Sequence, residues 1–117
     1  EQPPYVNAAA GLLTRLAPMA LLDALRDIER NMGRRPPPVR WGPRVIDLDL
    51  LLHGDTTSQT PELWLPHPGL HLRNFVLYPL VEIAPMLWVP GHGRIRTLRA
   101  RIPGEGLEPL AARVSGD

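Results

Sequence analysis

The chain has 117 residues, a formal net charge of +1, 44% hydrophobic and 21% charged residues. That length makes one domain rather than two, the composition is globular rather than disordered, and the charge is too small to argue for a nucleic-acid partner by field alone. Cysteine is absent, which excludes disulfides, thiol catalysis and thiolate zinc sites and fits a reducing, cytoplasmic setting, while no apolar run approaches the ~20 residues of a membrane span and no signal peptide is visible.

Residues 5–14 (YVNAAAGLLT) read as a strand, with Tyr5, Asn7, Ala9, Gly11 and Leu13 sharing one face. Its alanines weaken that reading, since Ala favours helix. Pro18 to Met32 reads as a helix. Pro18 suits the first turn, Gly33 suits the position just past the end, and Leu21, Leu25, Ile28 and Met32 form the apolar stripe. Asp23, Arg26, Asp27, Glu29 and Arg30 make up the polar face. Residues 33–44 form a loop, because four prolines and two glycines forbid regular structure there. Val45 to Leu52 (VIDLDLLL) reads as a buried strand, and His53 to Pro61 as a turn-rich connection. A short strand is expected at Leu63 to Leu65, a helix at Phe75 to Ile83 that Pro79 kinks or restarts, and another short strand at Met86 to Val89. The tail from Gly91 is arginine-rich and poorly patterned, and 103–117 is expected to be mobile. Residues 1–117 thus read as a single domain.

The chemistry concentrates around Asp47 and Asp49. Two residues apart in a strand, their side chains share a face with roots about 6.5–7 Å apart. Val45 and Leu51 share that face, and Ile46, Leu48, Leu50 and Leu52 line the other. Aspartate forms strands poorly, and two neighbouring carboxylates repel unless something positive meets them. They could hold one or two Mg²⁺ ions, which prefer oxygen ligands and phosphate. A solvated edge strand, or pairing with Arg40 or Arg44, explains the same pair equally well. All 13 basic residues are arginine, whose planar fork suits phosphate, although a codon preference produces the same bias. Four of them, Arg34, Arg35, Arg40 and Arg44, lie close to the acidic pair, the combination that polyphosphate binding needs. His67, between Pro66 and Pro68, is either a phosphate donor or a surface histidine in a turn. Tyr5 and Asn7 could stack on and hydrogen-bond a flat heterocycle, or be a core tyrosine and a structural asparagine. Trp41 and Phe75 could equally be packing residues.

The run Arg40-Trp41-Gly42-Pro43-Arg44-x-x-Asp47-Leu48-Asp49-Leu50-Leu51 resembles the signature of the 6-hydroxymethyl-7,8-dihydropterin pyrophosphokinases of folate biosynthesis. Further segments follow in that family's order: Gln2-Pro3-x-Tyr5-x-Asn7-Ala8, Leu21-Leu22, Ile28-Glu29, Gly33-Arg34, Pro66-His67-Pro68, Arg73-x-Phe75-Val76-Leu77 and Ile83-Ala84-Pro85. The resemblance implies transfer of pyrophosphate from ATP to the pterin's hydroxymethyl group, with release of AMP and a requirement for Mg²⁺, two ions being expected. It implies that Asp47 and Asp49 bind metal. Arg34 and Arg44 would act on the transferring phosphates, with His67 and Arg73 as further ATP contacts. Tyr5 and Phe75 would sandwich the pterin, Asn7 would bond its edge, and Trp41 would help cover the site. The partners would be these two small molecules, with no nucleic acid and no membrane, and the enzyme a cytoplasmic monomer.

The implied fold is α+β, a ferredoxin-like, four-stranded antiparallel sheet with helices on both faces. Relative to the family pattern the chain is expected to be roughly the C-terminal three quarters of the enzyme, without a leading strand, helix and strand that include a Gly-Ser-Asn turn. Many relatives also carry a second arginine two positions after the one matching Arg34, where this chain has Pro36. Two rival readings are a catalytically silent, nucleotide-binding scaffold and a small RNA-binding module. The latter suffers from few aromatics and from an acidic pair that repels phosphate without metal.

Overall fold

The computed structural model describes residues 6–33 and 46–109. Its first helix, α1 (Pro18–Gly33), starts at the expected proline, whose missing N–H costs nothing in a first turn. Of the expected stripe, Leu21 is buried and Leu25 partly so, whereas Ile28 and Met32 are 45% and 49% exposed; Leu22, outside the stripe, is buried as well. Leu22 packs against Leu63 and Leu65. These two flank or belong to a hairpin of β1 (Ser58–Gln59) and β2 (Trp64–Leu65), antiparallel with Ser58 opposite Leu65. Thr60 clamps its turn, its hydroxyl donating to the Leu63 carbonyl and accepting from the Leu63 N–H, both at 3.0 Å.

A second and larger cluster follows. A 3-10 turn (Leu70–Leu72) leads into α2 (Asn74–Ile83). A hairpin of β3 (Trp88–Val89) and β4 (Gly93–Arg94) then feeds α3 (Ile95–Ala100). Leu70, Leu77, Val89 and Ile95 are wholly buried, and Leu80 and Leu98 complete the cluster. Pro79 neither ends nor restarts α2, which runs through it to Ile83. Lacking an N–H, it leaves the Phe75 carbonyl without its usual donor one turn on. The helix α3 lies where the sequence shows only an arginine-rich tail; Ile95 and Leu98, three apart, supply the buried face that the surrounding arginines obscure.

The β3–β4 turn is Val89-Pro90-Gly91-His92, closed by His92 N–H to Val89 O at 2.9 Å. Proline at its second position and Gly91 at φ 80° make it type II, which needs a left-handed third residue. Nothing lies within 4 Å of a side chain added at Gly91, so Gly91→Ala pays only for its backbone conformation. Its expected cost is about 1 kcal/mol, read as a lower denaturant midpoint at unchanged m-value.

His92 carries a pH dependence. The residue is exposed overall, but one ring face is covered by His71, with centroids 4.0 Å apart and planes within 19°. Desolvation of that face, then repulsion from a His71 charge, hold its pKa below the ordinary 6.5. The unfolded chain therefore binds more protons than the folded one just below pH 6.5, so stability falls as pH drops through that window. A plot of chemical-denaturation midpoint against pH checks this: His92→Gln should flatten it between pH 7 and 5.5.

Neither of two expected strands, 5–14 and Val45 to Leu52, forms a ladder among the described residues, and Tyr5 and Val45 lie outside those. Among the described residues, no backbone hydrogen bond joins 6–14 to another segment, and residues 46–52 accept only one, from His67 N–H to Leu51 O. An extended chain becomes a strand only when a neighbour satisfies its N–H and C=O groups. The architecture is α+β, with two small antiparallel sheets among the described residues. No helix among the described residues is long and apolar enough to cross a membrane.

Candidate active site

Residues 46–52 run between the two clusters. Leu50 packs on the α1 side, Leu51 and Leu52 on the α2 side. Among the described residues, hydrogen bonds tie the segment to both sides: Leu48 N–H donates to Glu29 Oε2 of α1 at 2.6 Å, and Leu51 O accepts from His67 N–H at 2.8 Å. The segment keeps the period of two in what its side chains line. Asp47, Asp49 and Leu51 line a small cavity of about 140 Å³, while Ile46, Leu48 and Leu50 line a cleft of about 920 Å³ on the other side. Asp49 alone borders both.

The small cavity brings the acidic pair together with Asn7 and Phe75, residues far apart in the chain. Val6 to Ala9 form one wall, and Phe75 and Val76, at the start of α2, form another. Phe75 is 42% exposed and therefore belongs to no core cluster. This cavity is much smaller than the cleft. The cleft falls within the ~300–1,000 Å³ typical of small-molecule sites.

His67 and Pro68 border the cleft, next to the cis Leu65–Pro66 peptide. Gly69 N–H donates to His67 Nδ1 at 3.3 Å, which leaves Nε2 as the proton-bearing nitrogen of the neutral ring. Arg26, Glu29 and Arg30 of α1 form the facing wall. Arg30 pairs with Asp27 along the helix. Arginines four apart on one helix face are the signal the sequence carries for this wall; by themselves they read only as the helix's polar face.

Arg73 stands apart from both cavities. Its guanidinium lies over Gly69, where an added side chain would meet Arg73 Nε at 2.5 Å, and its Cζ is 6.0 Å from the Phe75 ring centre. Tyr5, Arg34, Trp41 and Arg44 lie outside the described residues. The structure thus gathers Asn7, Asp47, Asp49 and Phe75 in one cavity, sets His67 with Asp49 in the adjoining cleft, and leaves Arg73 lining neither. The described residues contain no cluster of three or more His, Asp or Glu with metal-ligand geometry. Two carboxylates suffice for Mg²⁺ when phosphate supplies the other oxygens.

The chain is 47% identical over 110 residues to the 2-amino-4-hydroxy-6-hydroxymethyldihydropteridine pyrophosphokinase of Pseudomonas aeruginosa, covering 94% of this chain and 67% of that protein. It is 48% identical over 90 residues to the Haemophilus influenzae protein of the same name, covering 77% of this chain and 56% of the relative. It also matches the mitochondrial folate synthesis bifunctional protein of Arabidopsis thaliana, 45% identical over 83 residues, 71% of this chain and 15% of that protein. The chain therefore spans between about half and two thirds of the length of the bacterial relatives. The model of one family, 7,8-dihydro-6-hydroxymethylpterin-pyrophosphokinase (HPPK), matches residues 1–85. With most of its length inside that match, the chain belongs to the 7,8-dihydro-6-hydroxymethylpterin-pyrophosphokinase family.

Proposed function

We propose that this protein transfers pyrophosphate from ATP to 6-hydroxymethyl-7,8-dihydropterin, yielding AMP and the pterin diphosphate in folate biosynthesis. The observation that carries the reading is the pair of cavities meeting at Asp49. The smaller is walled by an aromatic ring and an amide, groups that suit a flat heterocycle; the larger is bordered by a histidine and arginines, groups that suit phosphate. Two substrates placed on either side of one carboxylate have their reacting ends at that carboxylate.

In this reading Phe75 and Tyr5 hold the faces of the pterin, and Asn7 offers both a donor and an acceptor to its edge. His67 donates from Nε2 to the polyphosphate. Arg26, Arg34, Arg44 and Arg73 offset its charge, and Trp41 helps cover the site. Asp47 and Asp49 would hold Mg²⁺, two ions in all, and the donor set fits: oxygen-only, two residues apart, both on the small cavity and one of them, Asp49, also on the cleft. The metal, when bound, neutralises phosphate charge. The pterin hydroxymethyl oxygen attacks the β-phosphorus in line. The new O–P bond forms as the bridge to the α-phosphate breaks, AMP leaves with that bridging oxygen, and the hydroxyl proton passes to solvent. Positioning and charge neutralisation supply most of the rate.

The same reading makes 6–14 and 46–52 strands of a ferredoxin-like, four-stranded antiparallel sheet in a cytoplasmic monomer. A coupled assay for AMP with ATP, Mg²⁺ and the hydroxymethyl pterin tests the activity. Pterin-dependent AMP is expected. Tight binding of a non-hydrolysable ATP analogue with no AMP formed would make the chain a nucleotide-binding scaffold instead.

A further inference from the structure

The segment after α3 is not a loose end where it is described. Asn74, the first residue of α2, donates both amide hydrogens from Nδ2: one to Pro103 O and one to Glu105 O, each at 3.0 Å. One turn on, the Tyr78 hydroxyl donates to Ile102 O at 2.9 Å. The Tyr78 ring lies against Gly104, where an added side chain would stand 3.0 Å from it, and the Arg99 guanidinium carbon covers the ring at 4.3 Å from its centre. Leu107 N–H closes the turn on Gly104 O at 3.1 Å, and Ile102 packs on the larger core cluster. Two side chains of α2, four apart and so on one face, therefore hold three carbonyls of a segment with no regular structure of its own.

Their place along α2 gives the contacts a purpose. Asn74 stands between Arg73 and Phe75. The helix start carries no side-chain cap at Arg73, and Pro79 withholds the N–H that would have bonded the Phe75 carbonyl. The Phe75 ring is 42% exposed, so core packing does not fix it either. Backbone bonds from Val76 and Leu77 N–H to Arg73 O and the burial of Leu77 hold the inner face of this first turn, and the strap at 102–107 holds its outer face. We propose that Asn74 and Tyr78 are positioning residues: by binding this strap they set where the Phe75 ring stands in the small cavity. The inference rests on the pterin reading only for what the ring binds.

Phe75 is the only phenylalanine in the chain, so labelling with fluorophenylalanine gives a single ¹⁹F resonance. In the intact protein, Asn74→Ala, Asn74→Asp and Tyr78→Phe should each shift and broaden the Phe75 resonance, which in Tyr78→Phe is told from the second, new one by the spectrum of the Phe75→Leu/Tyr78→Phe double variant. Asp should act at least as strongly as Ala, because it keeps the size of Asn but sets a carboxylate against two carbonyls. Asn74→Ala should raise the KM for the pterin about 5- to 10-fold, with kcat within about twofold and a smaller change for ATP. Tyr78→Phe, which keeps the ring and loses one bond, provides a milder variant should Asn74→Asp fail to fold. An unmoved ¹⁹F signal overturns the positioning role, and so does a moved signal with unchanged pterin KM. A wild-type protein that forms no AMP refutes the functional reading instead, and the ¹⁹F shifts then decide the strap's hold on the ring by themselves.

Discussion

Asp49→Asn should lower kcat/KM for pyrophosphate transfer by about 10³-fold, roughly 4 kcal/mol of transition-state stabilisation. The substitution keeps size and one oxygen, and removes only charge. Asp49 has no ion pair or hydrogen bond among the described residues and is exposed, so folding loses nothing comparable. Relief of repulsion from Asp47 should leave the melting temperature level or slightly raised. Asp47→Asn should also cost orders of magnitude, but less than Asp49→Asn, because Asp47 borders only the small cavity whereas Asp49 borders both. Each variant should need more Mg²⁺ to reach half its own maximal rate. Full rates in both variants at ordinary Mg²⁺ would remove the carboxylates from the chemistry.

That the acidic pair was visible in the sequence has a physical reason. Two aspartates at a spacing of two in an aliphatic run need water, a cation or an arginine on their shared face, and the alternation of faces depends only on an extended backbone. It survives here, with Asp47 and Asp49 on one side and Leu48 and Leu50 on the other, although the ladder expected for Val45 to Leu52 is absent among the described residues. Pairing is a property of two segments, and a strand pattern names only one of them. The helix at 18–33 was legible from Pro18 and its leucines, yet which leucines are buried depends on the β1–β2 hairpin it meets, and that selects Leu22 over Ile28 and Met32. The helix α3 was not legible because its two buried residues sit among four arginines, and six residues give too short a window for a period. Asn7 and Phe75 were candidates on chemistry alone; their sharing of a cavity is tertiary. Arg26 and Glu29 were seen as a polar helix face, and only the placement of residues 46–52 turns that face into the wall of a cleft.

Phe75→Ala should leave the fold nearly intact and weaken the pterin selectively. The ring is 42% exposed and absent from both core clusters, so its removal opens no cavity of the kind that costs several kcal/mol in a buried core. What disappears is one face of a stack. An aromatic pair contributes ~0.5–1.5 kcal/mol beyond the area it covers, and with that area the loss is about 2 kcal/mol, or roughly 30-fold in kcat/KM. The loss should sit in the KM for the pterin, with the KM for ATP close to unchanged, because Phe75 borders the small cavity and not the cleft. Phe75→Tyr should restore most of it and Phe75→Leu little, since the contact depends on a flat face and not on apolar bulk. An Ala variant that raised both KM values alike would mean that the ring holds the start of α2 in place and does not itself touch the pterin. The Arg73 guanidinium, 6.0 Å from the ring centre, would then carry the effect to the nucleotide side.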